Sequence, residues 1–197
     1  MSRLKLKMIK AVIFDCFGVV ISDSLESAYR NLGGNFDKDL EKIDEIRWKS
    51  DKGLIPRSAP YFAEMLGVSE STWLDEVASG RSINQPLLDF IQNELKKDFK
   101  IAMLSNVGKN RLPEIFGKGF LEQYFEIIVT SGDIGFAKPE PQAYETVAEK
   151  LELRLDECVF TDDRMQYIEG AQGVGMHTIL FDNTKQFIKE LEVLIND

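Results

Sequence analysis

The chain has 197 residues, 44% of them apolar and 29% charged, and a net charge of −9, enough for one large domain or a core with a smaller appendage. Such acidity speaks against a nucleic-acid partner, whose phosphate backbone demands a basic face, but not against a small phosphorylated ligand. Cys16 and Cys158 lack the spacing of a disulfide framework or zinc site, and the single histidine, His177, excludes multi-histidine metal centres.

Residues 1–10 are basic and precede an apolar stretch, as in a secretory leader. Asp15 interrupts that stretch, however, and no small-residue cleavage site follows cleanly. No run approaches the roughly 18 consecutive apolar residues of a membrane span. A cytoplasmic protein without a membrane partner is expected. Residues 11–14, AVIF, read as a buried strand that ends on Asp15 and is followed shortly by Gly18. Open α/β sheets bind ligands at the carboxyl ends of their strands, so an Asp there is a candidate nucleophile or metal ligand. Two residues on, where a second carboxylate could share the work, stands Phe17.

Residues 23–85 contain no convincing strand. Apolar residues recur at helical spacing: Leu40, Ile43, Ile46 and Trp48, then Tyr61, Phe62, Met65 and Leu66, then Trp73, Leu74 and Val77. Gly33-Gly34, Gly53, Pro56, Gly67 and Gly80 mark turns, and Asp37 and Ser69 are expected helix starts. Trp48 and Trp73 are expected to pack between helices. This insertion (23–85) forms a cap over the strand ends of a core made from 1–22 and 86–197. The loops at Asp23-Ser24 and Gly53-Leu54-Ile55 are expected to line the pocket beneath it.

From residue 86 helices alternate with short apolar strands: helix 86–95, strand 101–104, helix 109–116, strand 125–129, helix 140–151, strand 158–160, helix 166–173, strand 178–181 and helix 184–195. Continuous apolar strands separated by helices imply a parallel sheet covered on both faces. Cys16 and Cys158 read as buried packing residues, and His177, just before the last strand, as structural.

In a parallel sheet the strand ends share one edge. Asp15, Ser105-Asn106, the 130–139 segment with Lys138, and Asp162-Asp163-Arg164 therefore converge there. A carboxylate can attack a phosphoryl group and form an aspartyl-phosphate that water hydrolyses. Asp15, Asp162 and Asp163 supply the oxygen ligands Mg²⁺ prefers, Ser105 can donate to a phosphate oxygen, and Lys138 can neutralise nucleophile and phosphate together. Positioning and charge neutralisation dominate phosphoryl transfer in general.

On these motifs the chain resembles the haloacid dehalogenase superfamily. Phe14-Asp15-Cys16-Phe17-Gly18-Val19-Val20 is similar to motif one, Leu104-Ser105-Asn106 to motif two, Lys138-Pro139-Glu140-Pro141 to motif three, and Phe160-Thr161-Asp162-Asp163-Arg164 to motif four. Ile168-Glu169-Gly170-Ala171 and Gly175-Met176-His177-Thr178-Ile179 resemble the subgroup of sugar-phosphate phosphatases and the phosphatase domain of epoxide hydrolases. The resemblance implies a Rossmann-like α/β core with helices on both faces and a small helical cap inserted after the first strand. It implies a Mg²⁺-dependent phosphatase of a small phosphorylated metabolite. Asp15 is then nucleophile and metal ligand, the Phe17 carbonyl a further ligand, and Ser105 with Asn106 the phosphate-binding pair. Lys138 is the catalytic lysine, Asp163 the motif-four ligand, and Asp162 a second ligand or its support.

The chain departs from the family pattern twice. Phe17 replaces the Asp that usually protonates the leaving oxygen, help worth about 10²–10⁴-fold, so a slow enzyme is one expectation. Tyr167 stands where many members carry Asp or Asn. An aromatic residue at position 17 also occurs in metal-independent 2-haloacid dehalogenases, which lack the Asp162-Asp163 pair. A non-catalytic phosphate- or protein-binding member is a third reading. A phosphoacceptor receiver domain fits less well, since its acidic pair comes early and it has no helical insertion.

Overall fold

Ala11, Val12, Ile13 and Phe14 are all fully buried, because the strand they form (β1, Ala11–Phe14) is the middle one of five. The computed structural model describes residues 9–196, so most of the basic N-terminal segment lies outside the described residues. After β1 come four helices, α1 (Leu25–Asn31), α2 (Phe36–Asp51), α3 (Ala59–Leu66) and α4 (Glu70–Ser79). Then follow α5 (Gln85–Asn93), β2 (Lys100–Ser105), α6 (Arg111–Phe116), β3 (Ile127–Thr130), the single turn α7 (Ser131–Ile134) and α8 (Pro141–Lys150). The chain closes with β4 (Cys158–Asp162), α9 (Met165–Gly173), β5 (His177–Leu180) and α10 (Thr184–Asn196).

The sheet order is β3-β2-β1-β4-β5 and every pairing is parallel. Successive side chains of β1 point to opposite faces. Val12 and Phe14 enter a cluster with Leu87, Leu88, Ile91 and Phe187, whereas Ala11 and Ile13 enter another with Ala143, Tyr144, Val147 and Phe160. The Phe14 ring lies 5.3 Å from that of Phe187 and 6.3 Å from that of Phe125, a burial that stabilises by about 1.5–3 kcal/mol. Both faces are covered, as the uninterrupted apolar strands require.

Between β1 and α5, helices α1–α4 share an apolar cluster of their own, in which the Phe62 ring lies 5.1 Å from Trp73 and 6.5 Å from Tyr29. Ser69 caps α4 by accepting from the Thr72 amide at 3.1 Å, as the sequence indicates. Asp37 does not start α2. Asn35 does, accepting from the Lys38 amide at 3.1 Å, while Asp37 sits inside the first turn and pairs with Arg30.

Trp48 is 54% exposed rather than packed between helices. It lies about 200° around α2 from Ile46, which faces the cluster, so the two cannot share a face. The third strand begins two residues later than expected, because the Phe125 amide closes a turn on the Leu121 carbonyl at 3.0 Å. His177 opens β5 instead of preceding it. Among the described residues, no helix is long and apolar enough to cross a membrane.

Candidate active site

The strand order reverses at β1, whose neighbours β2 and β4 run away to opposite sides. The crevice at such a switch point, beyond the carboxyl ends of the strands, is where open α/β sheets hold ligands. Asp15 follows β1 there, and its amide extends the ladder by donating to the Thr161 carbonyl at 2.9 Å. Cys16 turns away into the core, where burial pushes its thiol far above the ordinary range and leaves it inert.

The chain then turns sharply at Gly18 (φ +93°), where a Cβ would stand 2.3 Å from an Asp163 carboxylate oxygen. Glycine is required here twice over, by the backbone angle and by the close approach of Asp163. The bonds closing this turn use the carbonyls of Cys16 and Ile21, and not that of Phe17.

Lys138 is the centre of the site. Its side chain is fully buried, with Nζ 2.5 Å from Asp15 Oδ1 and 2.6 Å from Asp162 Oδ2. The Phe160 and Tyr167 rings lie beside it at 5.2 and 4.9 Å from Nζ. Tyr167, the second departure in the sequence, therefore contributes a ring face to the ammonium, an attraction that strengthens where water is excluded. Burial alone would lower the lysine, but Asp15 and Asp162 more than offset it and hold it above its usual range. Asn106 fixes this loop with both ends of its amide: Nδ2 donates to the Lys138 carbonyl at 2.9 Å, and Oδ1 accepts from the Lys138 amide at 2.8 Å. Asn106, expected beside the phosphate, thus holds the lysine segment and also lines the neighbouring cavity.

The acidic pair divides in the same way. Asp162 is wholly buried with one oxygen on Lys138 and the other accepting from the Arg164 amide at 2.9 Å. Asp163 is exposed toward the crevice. Burial pushes the Asp15 carboxyl up to about 7, and the neighbouring Asp162 adds to this while Lys138 opposes it. Burial and Asp162 likewise carry Asp163 to about 6. Both shifts are chiefly the cost of taking a carboxylate out of water. Carboxylate oxygens of Asp15, Asp162 and Asp163 lie within 4.8 Å of one another, a hard-oxygen set suited to a small divalent cation. Ser105, at the end of β2, is fully buried, and its hydroxyl has no hydrogen-bond partner among the described residues. Leaving such a group unpaired costs about 1–3 kcal/mol, a cost that an incoming oxyanion would remove.

A cavity of about 130 Å³ adjoins the crevice through Phe17 and Asn106 and is lined also by Asp23, Arg47, Asp51, Arg81 and Arg111, while Asp15, Ser105, Lys138 and Asp163 are not part of its lining. Asp23 and Ser24 line it as expected. Gly53, Leu54 and Ile55 do not; Leu54 is 62% exposed, and the preceding turn of α2, with Ser50 and Asp51, takes their place. A helix presents residues to one side, and here the last turn of α2 faces the core while the following loop swings outward. Arg47, Asp51, Arg81 and Arg111 escaped the sequence reading because no strand end or motif marks them. The one available signal was α2 periodicity, which places 47 and 51 one turn apart on one face.

Residues 87–175 match the family of haloacid dehalogenase-like hydrolases. The chain is 32% identical over 161 residues to bifunctional epoxide hydrolase 2 of Rattus norvegicus, covering 80% of this chain but 28% of that one. It thus spans about a quarter of the length of that relative. It is 29% identical to a phosphatase of Mycobacterium tuberculosis, covering 90% of this chain and 89% of the other. Among solved structures, a haloacid dehalogenase family enzyme from Bacteroides thetaiotaomicron, in complex with magnesium and inorganic phosphate, superposes with a TM-score of 0.72. It is 26% identical, over 89% of this chain and 96% of that one.

Proposed function

Because this chain belongs to the haloacid dehalogenase-like hydrolases, we propose that it is a Mg²⁺-dependent phosphatase of a small phosphomonoester, working through an aspartyl-phosphate on Asp15. The observation that carries this reading is the buried Asp15–Lys138–Asp162 contact at the switch point, with the unpartnered Ser105 hydroxyl beside it. The cavity of about 130 Å³ favours a small alcohol portion over a macromolecule, and the relatives named for phosphatase activity point the same way.

In this reading Asp15, Asp163 and the Phe17 carbonyl hold the metal, which supplies positive charge to offset phosphate and nucleophile. Asp162, with both oxygens engaged, supports the lysine. Ser105 donates to a phosphoryl oxygen. Lys138 keeps the Asp15 oxygen and the phosphoryl group together despite their like charge, the largest obstacle to an anionic nucleophile.

The test is inorganic phosphate release from a broad panel of phosphomonoesters by the purified chain. Release is expected with Mg²⁺ and is lost in excess chelator. No release from any ester would sink the reading, and halide release from a chloroacid in chelator would replace it with a dehalogenase.

Gly18→Ala gives a sharper check on the metal ligands. The added methyl group displaces the Asp163 carboxylate, so the Mg²⁺ concentration for half-maximal turnover should rise by about 10–100-fold, the usual cost of disturbing a ligand's support. An unchanged Mg²⁺ titration would remove Asp163 from the set.

A further inference from the structure

We propose that Asp51, borne on the helical insertion, is the acid that protonates the leaving alkoxide, the role Phe17 cannot fill; the assignment rests on the phosphatase reading above. Asp51 is the last residue of α2 and lines the cavity with Phe17 and Asn106. Its position is fixed by the next residue. Lys52 Nζ lies 2.7 and 2.9 Å from the two oxygens of Glu140, and Glu140 in turn accepts from the Ala137 amide at 2.7 Å. The end of α2 is therefore tied to the segment that carries Lys138. Among the described residues, the Asp51 carboxyl has no hydrogen-bond or ion-pair partner of its own.

The other groups around the cavity do not suit the role. Asp23 is committed to Arg47 at 3.4 Å and to the Leu25 amide at 3.1 Å. Arg81 and Arg111 do not release protons near neutral pH. His177 opens β5, one of the two outer strands of the sheet, and is not among the cavity's lining residues. The charged groups facing Asp51 are Arg47 on its own helix, Lys138, Arg164 and Asp23. Burial outweighs the three cations and brings the Asp51 carboxyl to about 7. A donor poised near the working pH is the most effective kind.

The step balances. An Asp15 oxygen bonds to phosphorus as the bond from phosphorus to the ester oxygen breaks. The electron pair goes to that oxygen, which takes the Asp51 proton and departs as the alcohol. Asp51, now a carboxylate, then takes a proton from a water whose oxygen attacks the aspartyl-phosphate. The bond from phosphorus to Asp15 breaks, regenerating the nucleophile and releasing phosphate.

The experiment compares Asp51→Asn with wild type, in the full chain with Mg²⁺, on a simple alkyl phosphate and on p-nitrophenyl phosphate, whose phenolate leaves without a proton. The alkyl kcat/KM should fall about 10²–10⁴-fold, and the aryl value far less. The wild-type alkyl profile should decline above pH about 7, and the variant should lack that limb. Asp51→Glu should restore part of the alkyl rate. An equal fall on both substrates, or an unchanged alkyl rate, would overturn the assignment. A wild type inactive on both esters would instead overturn the phosphatase reading and this assignment with it.

Discussion

Asp15→Asn should abolish phosphate release, with a loss of more than about 10⁴-fold in kcat, since removing a covalent nucleophile forfeits the whole catalytic unit. The amide fits the same space, but it can neither attack phosphorus nor hold a cation as a carboxylate does. The variant should remain folded. Lys138 keeps its 2.6 Å contact with Asp162, and the buried carboxylate that burial already disfavours is gone. Phosphate release measured against a Mg²⁺-saturated wild type, with thermal melting as the folding control, checks this. Retained turnover in the variant would mean that some other group attacks.

The second large effect concerns stability. Lys138→Met deletes the cation that bridges Asp15 and Asp162, whose side chains are 9% and 0% exposed. Breaking a buried pair from one side costs about 3–5 kcal/mol, which for a chain of this size lowers the melting temperature by about 6–20 °C. The pH dependence follows from the sign of the Asp15 shift. Asp15 already sits near 7 through burial, with Lys138 holding it down, and without the lysine it climbs further. An acid that binds its proton more tightly when folded loses stability as pH rises through its folded value. The deficit of the variant should therefore widen as the pH is raised above about 7. Melting curves across pH in chelator test this; a deficit that narrows above neutrality would contradict it.

The sheet was legible from the chain because a strand buried on both faces must be apolar throughout, as in residues 11–14 and 158–160. The polar residues that interrupt those runs mark the strand ends, which is why Asp15, Ser105, Lys138 and Asp163 could be named together. The division of labour among them was not legible. Asp162 and Asp163 are adjacent and chemically alike; only the direction of each side chain shows that one faces Lys138 and the other the crevice. Nothing in the sequence shows that Asn106 bonds to the Lys138 backbone atoms. Tyr167 reads as a missing carboxylate, yet its ring lies 4.9 Å from the lysine ammonium. Trp48 shows the limit of periodicity: apolar character marks a helix without saying which side packs. The cavity depends on how α2 docks against the core, a long-range matter that neighbouring residues do not encode.

In the proposed reaction Asp15 carries the phosphoryl group between the two half-reactions. Wild-type chain turning over a phosphomonoester with Mg²⁺, quenched in acid within one turnover and digested for mass spectrometry, reads it directly. The peptide containing Asp15 should gain the mass of one phosphoryl group, and the same peptide from Asp15→Asn should not. Rapid phosphate release with that peptide unmodified, or an adduct on a different residue, would contradict the account.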